Sequence, residues 1–349
     1  MKQYIITLLV LAVTAGIALS QDDAKELFEK SINSSDTTEK RILREKIIEI
    51  SPESYYGYFA RAWFLSCESR DSLSCIYYTK AIESGMMNCY VYNNRGLIWI
   101  KLGLHMNAVL DFTRAIEFAP DEIADAYAKR GYAYMQNEDY ANAIEDFNTS
   151  IRIEDTDARS YYNRAECYLY TDEYEKSIED YTYALKLEPE EYSIFIGRGF
   201  AYKELKKYAK SIDDFTEALK YYKDDIFLLE ERAGLYDLNK DYEPASIDYS
   251  RIIELSADNT NAYIYRGSMY IRLEEYDRAV KDETKAIKLD TKNFIPYLYR
   301  AIAYDGLGET GKALADLHTA LKLNPDEEDM TVIRKMIQDL NEYSENPNE

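Results

Sequence analysis

Apolar and polar positions alternate along most of this chain with helical spacing, and the whole pattern returns every 34 residues. Ala124 to Asp157 shows one complete repeat. Tyr127, Gly131 and Tyr134 share one helical stripe, Asn137-Glu138-Asp139 breaks it with turn-forming residues, and Tyr140, Ala143, Ile144, Phe147 and Ile151 trace a second stripe. The pattern predicts a hairpin of two helices, each about four turns long. An Arg followed by Gly or Ala marks the register at Arg61, Arg95, Arg130, Arg164, Arg198, Arg232, Arg266 and Arg300, spaced by 34 residues except for 35 between Arg95 and Arg130. A fixed period held over eight copies predicts a solenoid of stacked supersecondary units.

With Ala124 as position one, size is as regular as polarity. Position eight is Gly or Ala throughout (Ala62, Gly96, Gly131, Ala165, Gly199, Ala233, Gly267, Ala301), and position twenty is Ala or Ser throughout. Large residues stand at positions eleven (Leu65, Trp99, Tyr134, Tyr168, Tyr202, Tyr236, Tyr270, Tyr304) and twenty-four (Tyr78, Phe112, Phe147, Tyr181, Phe215, Tyr249, Glu283, Leu317). Small residues let two helices approach and large ones fill the adjoining holes. Position seven is always Arg, and position twenty-three is Asp from Asp111 to Asp316, with Tyr77 in its place in the first repeat. Both positions face neighbouring helices, where an unpaired charge is costly, so an Arg–Asp ladder is predicted. Counting leaves open whether each Asp meets its own repeat's Arg or the next one's.

These positions resemble the tetratricopeptide repeat, which carries small residues at eight, twenty and twenty-seven, aromatics at eleven, seventeen and twenty-four, and often Pro at thirty-two. Position twenty-seven here is small except at Ile252, and Pro120, Pro189 and Pro325 fall at thirty-two. Asp71 and Thr310 depart from the aromatic at seventeen. The resemblance covers residues 55–327 as eight repeats. It implies an all-α fold, a right-handed α-solenoid whose concave face is lined by first helices, with no enzymatic activity and no cofactor.

The ends read differently. Residues 1–20 have the form of an export signal: Lys2, an apolar run from Ile5 to Ala15, and small Ala18 and Ser20 before Gln21. The run is short for a membrane span. Cleavage and a periplasmic or secreted location are the expectation, with a retained anchor as the alternative. Residues 21–54 read as a degenerate extra repeat acting as a cap, with a capping box between Asp36 and Glu39. Residues 328–343 read as a closing amphipathic helix and 344–349 as a disordered tail.

The formal charge of −22 disfavours binding to nucleic acid or anionic lipid and is compatible with a basic partner. Cys67, Cys75, Cys89 and Cys167 contain no CxxC spacing; if export allows a disulfide, Cys67–Cys75 across the first turn is the first candidate. His105 and His318 lie six repeats apart, too far for a shared metal or catalytic centre, and His105 takes an aromatic packing position. Nothing assembles a catalytic constellation.

The leading functional expectation is therefore an exported protein–protein interaction scaffold with a peptide or partner segment in its groove. Positions two, five, six, nine and twelve differ between repeats far more than the packing positions do. They nominate Tyr56, Phe59, Trp63, Tyr90, Asn94, Tyr132, Arg159, Tyr162, Asn163, Leu169, Phe200 and Phe227, with Glu230, Glu231, Asp237 and Asp305 making the later repeats acidic. Some of these rings are equally readable as core within the groove. The family's carboxylate-clamp arrangement is absent, with Phe59 and Trp63 standing where its Lys and Asn belong. A structural spacer that assembles through its ends is the second reading.

Overall fold

The computed structural model describes residues 21–118, 123–323 and 325–345, so residues 1–20, on which the expected export signal falls, Pro120 and the last four residues lie outside it. The chain divides into two compact halves, up to Glu173 and from Tyr174. The first half holds α1 (Gln21–Asn33), α2 (Thr37–Ile50), α3 (Tyr55–Cys67), α4 (Asp71–Glu83), α5 (Cys89–Lys101), α6 (His105–Phe118), α7 (Ile123–Gln136), α8 (Tyr140–Ile153) and α9 (Ala158–Tyr170). The second holds α10 (Tyr174–Leu187), α11 (Tyr192–Glu204), α12 (Tyr208–Tyr221), α13 (Ile226–Leu238), α14 (Tyr242–Leu255), α15 (Thr260–Arg272), α16 (Tyr276–Leu289), α17 (Ile295–Gly306), α18 (Thr310–Lys322) and α19 (Glu327–Glu345). No strand occurs among the described residues. Within each half, consecutive helices pack as hairpins and hairpin stacks on hairpin, an α-solenoid. The closing helix runs two residues past Tyr343, to Glu345.

Three local devices set the hairpins. Ser54, Asn88, Asp157, Asp225 and Asn259 precede first helices and accept hydrogen bonds from their first-turn N–H groups. Position fifteen then ends the first helix in the left-handed region in all eight repeats: Ser69, Glu138, Asp172, Lys206, Lys240 and Glu274 have φ of 56–67°, and glycine serves only at Gly103 and Gly308. Finally, the small residue at eight admits the ring at twenty-four. A Cβ on Gly96 would lie 2.7 Å from Phe112 Cε1. Where position twenty is Ser, it donates across the hairpin to the position-eight carbonyl, as Ser74 does to Ala62 and Ser211 to Gly199, both at 2.7 Å.

The ladder is resolved in favour of the same repeat. Arg95, Arg130, Arg198, Arg232, Arg266 and Arg300 each donate Nε and Nη2 to the Asp sixteen residues on, at 2.6–2.9 Å. The remaining Nη1 reaches back to position twenty-five of the preceding repeat: Thr79, Thr113, Thr182, Thr216, Ser250 and Thr284 accept at 3.0–3.2 Å, and Asn148 accepts from Arg164. One guanidinium thus closes its own hairpin bidentately and ties it to the hairpin before.

Two buried charges break the pattern. Position twenty-four is Glu283 in the seventh repeat. Its carboxyl is fully buried against Gly267 with no hydrogen-bond partner, and burial, reinforced by neighbouring Asp282, pushes it up to about 10. In the cap the same position is Arg44, buried, with Nε and Nη1 unpartnered, lying over the Trp63 and Phe59 rings at 4.4 and 5.5 Å. Burial lowers its proton affinity.

One sequence expectation is refined and one is corrected. Asp36 caps α2 through the N–H groups of Thr38 and Glu39, and Ser34 enters the capping box between Asp36 and Glu39. The Asp36 N–H donates to Ser34 Oγ, whose hydroxyl donates to Glu39 at 2.8 Å. The Cys67–Cys75 pair is not formed: Cys67 ends α3 in solvent, whereas Cys75 points into the core. Burial pushes the Cys167 thiol up to about 12, so it stays an unreactive core group.

Candidate protein-binding face

The variable first-helix positions divide sharply by exposure. In the N-terminal half, Tyr56 and Phe59 are core rather than groove. Phe28 of the cap packs on both, with ring centroids 5.2 and 5.1 Å away, and leaves Phe59 1% exposed. Asn163 is likewise buried. Trp63 is half-buried, with one ring face under Arg44. Tyr90 is half-buried, 6.3 Å from Phe28 and edge-on to it. Asn94 is half-buried and spends its amide N–H on the Tyr90 carbonyl of its own helix at 2.7 Å. Tyr132, Tyr162 and Leu169 are half-buried, and Arg159 is exposed.

In the C-terminal half the rings are more open. Phe227 is 54% exposed and Phe200 half-buried, 6.1 Å apart. Tyr265, at position six of the seventh repeat, is 50% exposed and stacked on Tyr249 at 5.5 Å. Sequence reading passed over Tyr265, although its position is one of the variable ones. The acidic character expected here is partly neutralised internally. Lys203 holds Glu231 at 2.6 Å and Arg272 meets Asp237 at 3.5 Å, leaving exposed Glu230 and Asp305 as the open charges of that set. This surface is therefore aromatic with interspersed charge, not a plain acidic trough. Such a surface suits protein segments: rings supply area at low entropic cost and the paired charges set register.

Among the described residues no group of three or more His, Cys, Asp or Glu is placed to hold a metal ion, and no helix is long and apolar enough to cross a membrane.

Known proteins place this geometry. Models of the Tetratricopeptide repeat match residues 124–157, 158–191, 192–225 and 260–293, in the register derived above. The chain is a tetratricopeptide-repeat protein. Among solved structures, the C-terminal part of a TPR repeat-containing protein from Cytophaga hutchinsonii is 18% identical. It covers 71% of this chain and 99% of its own, with a TM-score of 0.59, which establishes a shared fold. A tetratricopeptide repeat protein from Parabacteroides merdae, also 18% identical, covers 72% of this chain and 97% of its own at a TM-score of 0.47. The curated proteins include no match. The repeats make this chain a protein–protein interaction scaffold.

Proposed function

We propose that this scaffold is exported and holds an extended peptide or partner segment against the variable face of its first helices. The observation that carries the reading is the exposure of Phe227, beside Phe200, and of Tyr265, stacked on Tyr249, at positions two and six. Large rings kept half in water, on a face where the packing positions leave sequence free to vary, are poorly explained by folding alone. Arg159 in the N-terminal half adds an exposed cation able to receive a carboxylate in an otherwise acidic protein. Glu230 and Asp305 favour basic residues in the segment. Export rests on Lys2, the Ile5–Ala15 apolar run and the small residues before Gln21.

Cell fractionation with intact-mass measurement tests export: the mature chain should begin at or near Gln21 and be recovered outside the cytoplasm, and recovery of Met1-containing protein there counts against a cleaved leader. For binding, Tyr132→Ala combined with Phe227→Ala should weaken a partner by more than about 2 kcal/mol at an unchanged melting temperature. Undiminished affinity in that folded double variant sinks the proposed face.

A further inference from the structure

The geometry points to a second, smaller site: a carboxylate-binding cavity at Arg61, built by the one repeat whose ladder is incomplete. In the rungs of Arg95, Arg130, Arg198, Arg232, Arg266 and Arg300 the position-seven guanidinium is closed on two edges by Asp and on a third by a hydroxyl. In the first repeat both partners are replaced. Tyr77 stands where the Asp belongs, and Glu45 of the cap stands where the preceding repeat supplies Thr or Ser. Arg61 makes no hydrogen bond or ion pair, and Glu45 is held instead by Arg41 at 3.2 Å. An arginine that the fold normally satisfies is thus left with its fork open.

Arg61 lines an open cleft. A cavity of about 680 Å³ lies between α2, α3 and α4, with Arg61 in its wall beside Phe64, Leu65, Leu73, Tyr77 and Ile48. Arg41 lies over the Phe64 ring at 5.8 Å, which holds that wall in place. The volume suits a small organic group. The other charges in the lining largely cancel: Arg41 holds Glu45, and Arg70 lies 3.8 Å from Glu68. That leaves Arg61 and Glu49 as the lining charges outside those pairs. One such cation beside one such carboxylate favours a monoanion and disfavours phosphates and dicarboxylates, whose extra charge meets Glu49. The class of ligand is a monocarboxylate with an apolar or aromatic body. Its two oxygens take the place of the missing Asp, as Asp146 oxygens lie 2.8 and 2.7 Å from Arg130 Nε and Nη2, and its body lies on Phe64, Leu73 and Tyr77. A free organic acid and a C-terminal carboxylate of a protein both present this chemistry. The site is separate from the first-helix face and stands or falls independently of it.

The test titrates full-length mature protein, labelled with ¹⁵N at arginine, with 3-phenylpropanoate, with a short peptide ending in Phe with a free carboxylate, with the same peptide amidated, and with phenyl phosphate. The signal followed is the Arg61 Nε–H. Tyr77→Asp is the decisive variant, because it restores the missing ladder partner. It should raise the melting temperature, shift Arg61 Nε–H toward the other ladder arginines, and weaken carboxylate binding by about tenfold or more. A saturable Arg61 shift with the free acid, with the free-carboxylate peptide, or with both supports the site, and which of them works tells a metabolite from a chain terminus. No shift with either carboxylate, equal shifts with the amidated peptide or phenyl phosphate, or undiminished binding in Tyr77→Asp overturns it. Arg61→Met gives the same reading where it folds.

Discussion

Arg130 donates to both oxygens of Asp146 across its own hairpin, at 2.8 and 2.7 Å, and its third edge reaches Thr113 of the preceding hairpin at 3.2 Å. The pair is mostly withdrawn from solvent, with 18% and 7% of the two side chains exposed. Asp146→Ala would leave a buried cation half-satisfied and should destabilise the protein by about 3 kcal/mol in chemical denaturation. Thr113→Val removes one neutral acceptor and should cost about 1 kcal/mol. A change under about 0.5 kcal/mol for Asp146→Ala would mean that the pair is incidental.

Glu283 gives the opposite sign. Its folded-state proton affinity lies far above that of an exposed carboxyl, because burial and Asp282 outweigh the pull of Arg300. The folded state therefore holds a proton that the unfolded chain releases above about pH 4.5. Its contribution to stability is fully present below that value and is lost as pH rises toward 10, by about 1.4 kcal/mol per pH unit from this group alone. Glu283→Gln should flatten the fall in melting temperature between pH 6 and 9, and Glu283→Tyr, the residue type at Tyr249 of the preceding repeat, should raise stability at pH 8. A pH profile identical to wild type in Glu283→Gln would show that the carboxyl reaches water.

Arg44 occupies the equivalent place in the cap, buried over Trp63 with two unpartnered nitrogens. Arg44→Tyr should stabilise the N-terminal hairpin, read as slower amide exchange in α1 and α2. Faster exchange there would mean that the stacking on Trp63 outweighs the desolvation of the charge.

The inter-helix turn is under backbone strain in six repeats. Lys240, at φ 67°, holds a conformation that glycine adopts freely at Gly103 and Gly308. Lys240→Gly should raise stability by up to about 1 kcal/mol. Gly103→Ala, where the added Cβ meets nothing within 4 Å, should lower it by about as much through backbone conformation alone. Equal stability of both variants with wild type would remove the strain argument.

Much of this was readable in the residues. The period, the hairpin and the pairing of small position eight with large position twenty-four followed from spacing, because packing leaves a repeating record of size. The Arg–Asp pairing was legible too, but not its partner choice, which depends on how two antiparallel helices bring residues sixteen apart together. The threonine half of each rung left a signal, a hydroxyl recurring at Thr79, Thr113, Thr182, Thr216, Ser250 and Thr284, yet a helix-surface Thr looks like a solvated one. Position fifteen left none, since Ser69, Glu138 and Lys206 share no chemistry that announces a left-handed turn. The candidate face was legible only as a set of variable positions. Exposure within it depends on neighbours: Phe28 turns Tyr56 and Phe59 into core, Lys203 takes Glu231, and Tyr265 stays open.

The most direct test of that face is photo-cross-linking in the native cell, with a benzophenone amino acid at Tyr132 and Phe227 on first helices and at Leu110 and Ile247, exposed apolar positions of second helices. Tyr132 and Phe227 should yield discrete adducts to a protein partner while Leu110 and Ile247 stay unmodified. Adducts confined to Leu110 and Ile247 would place the partner on the second helices and contradict the account.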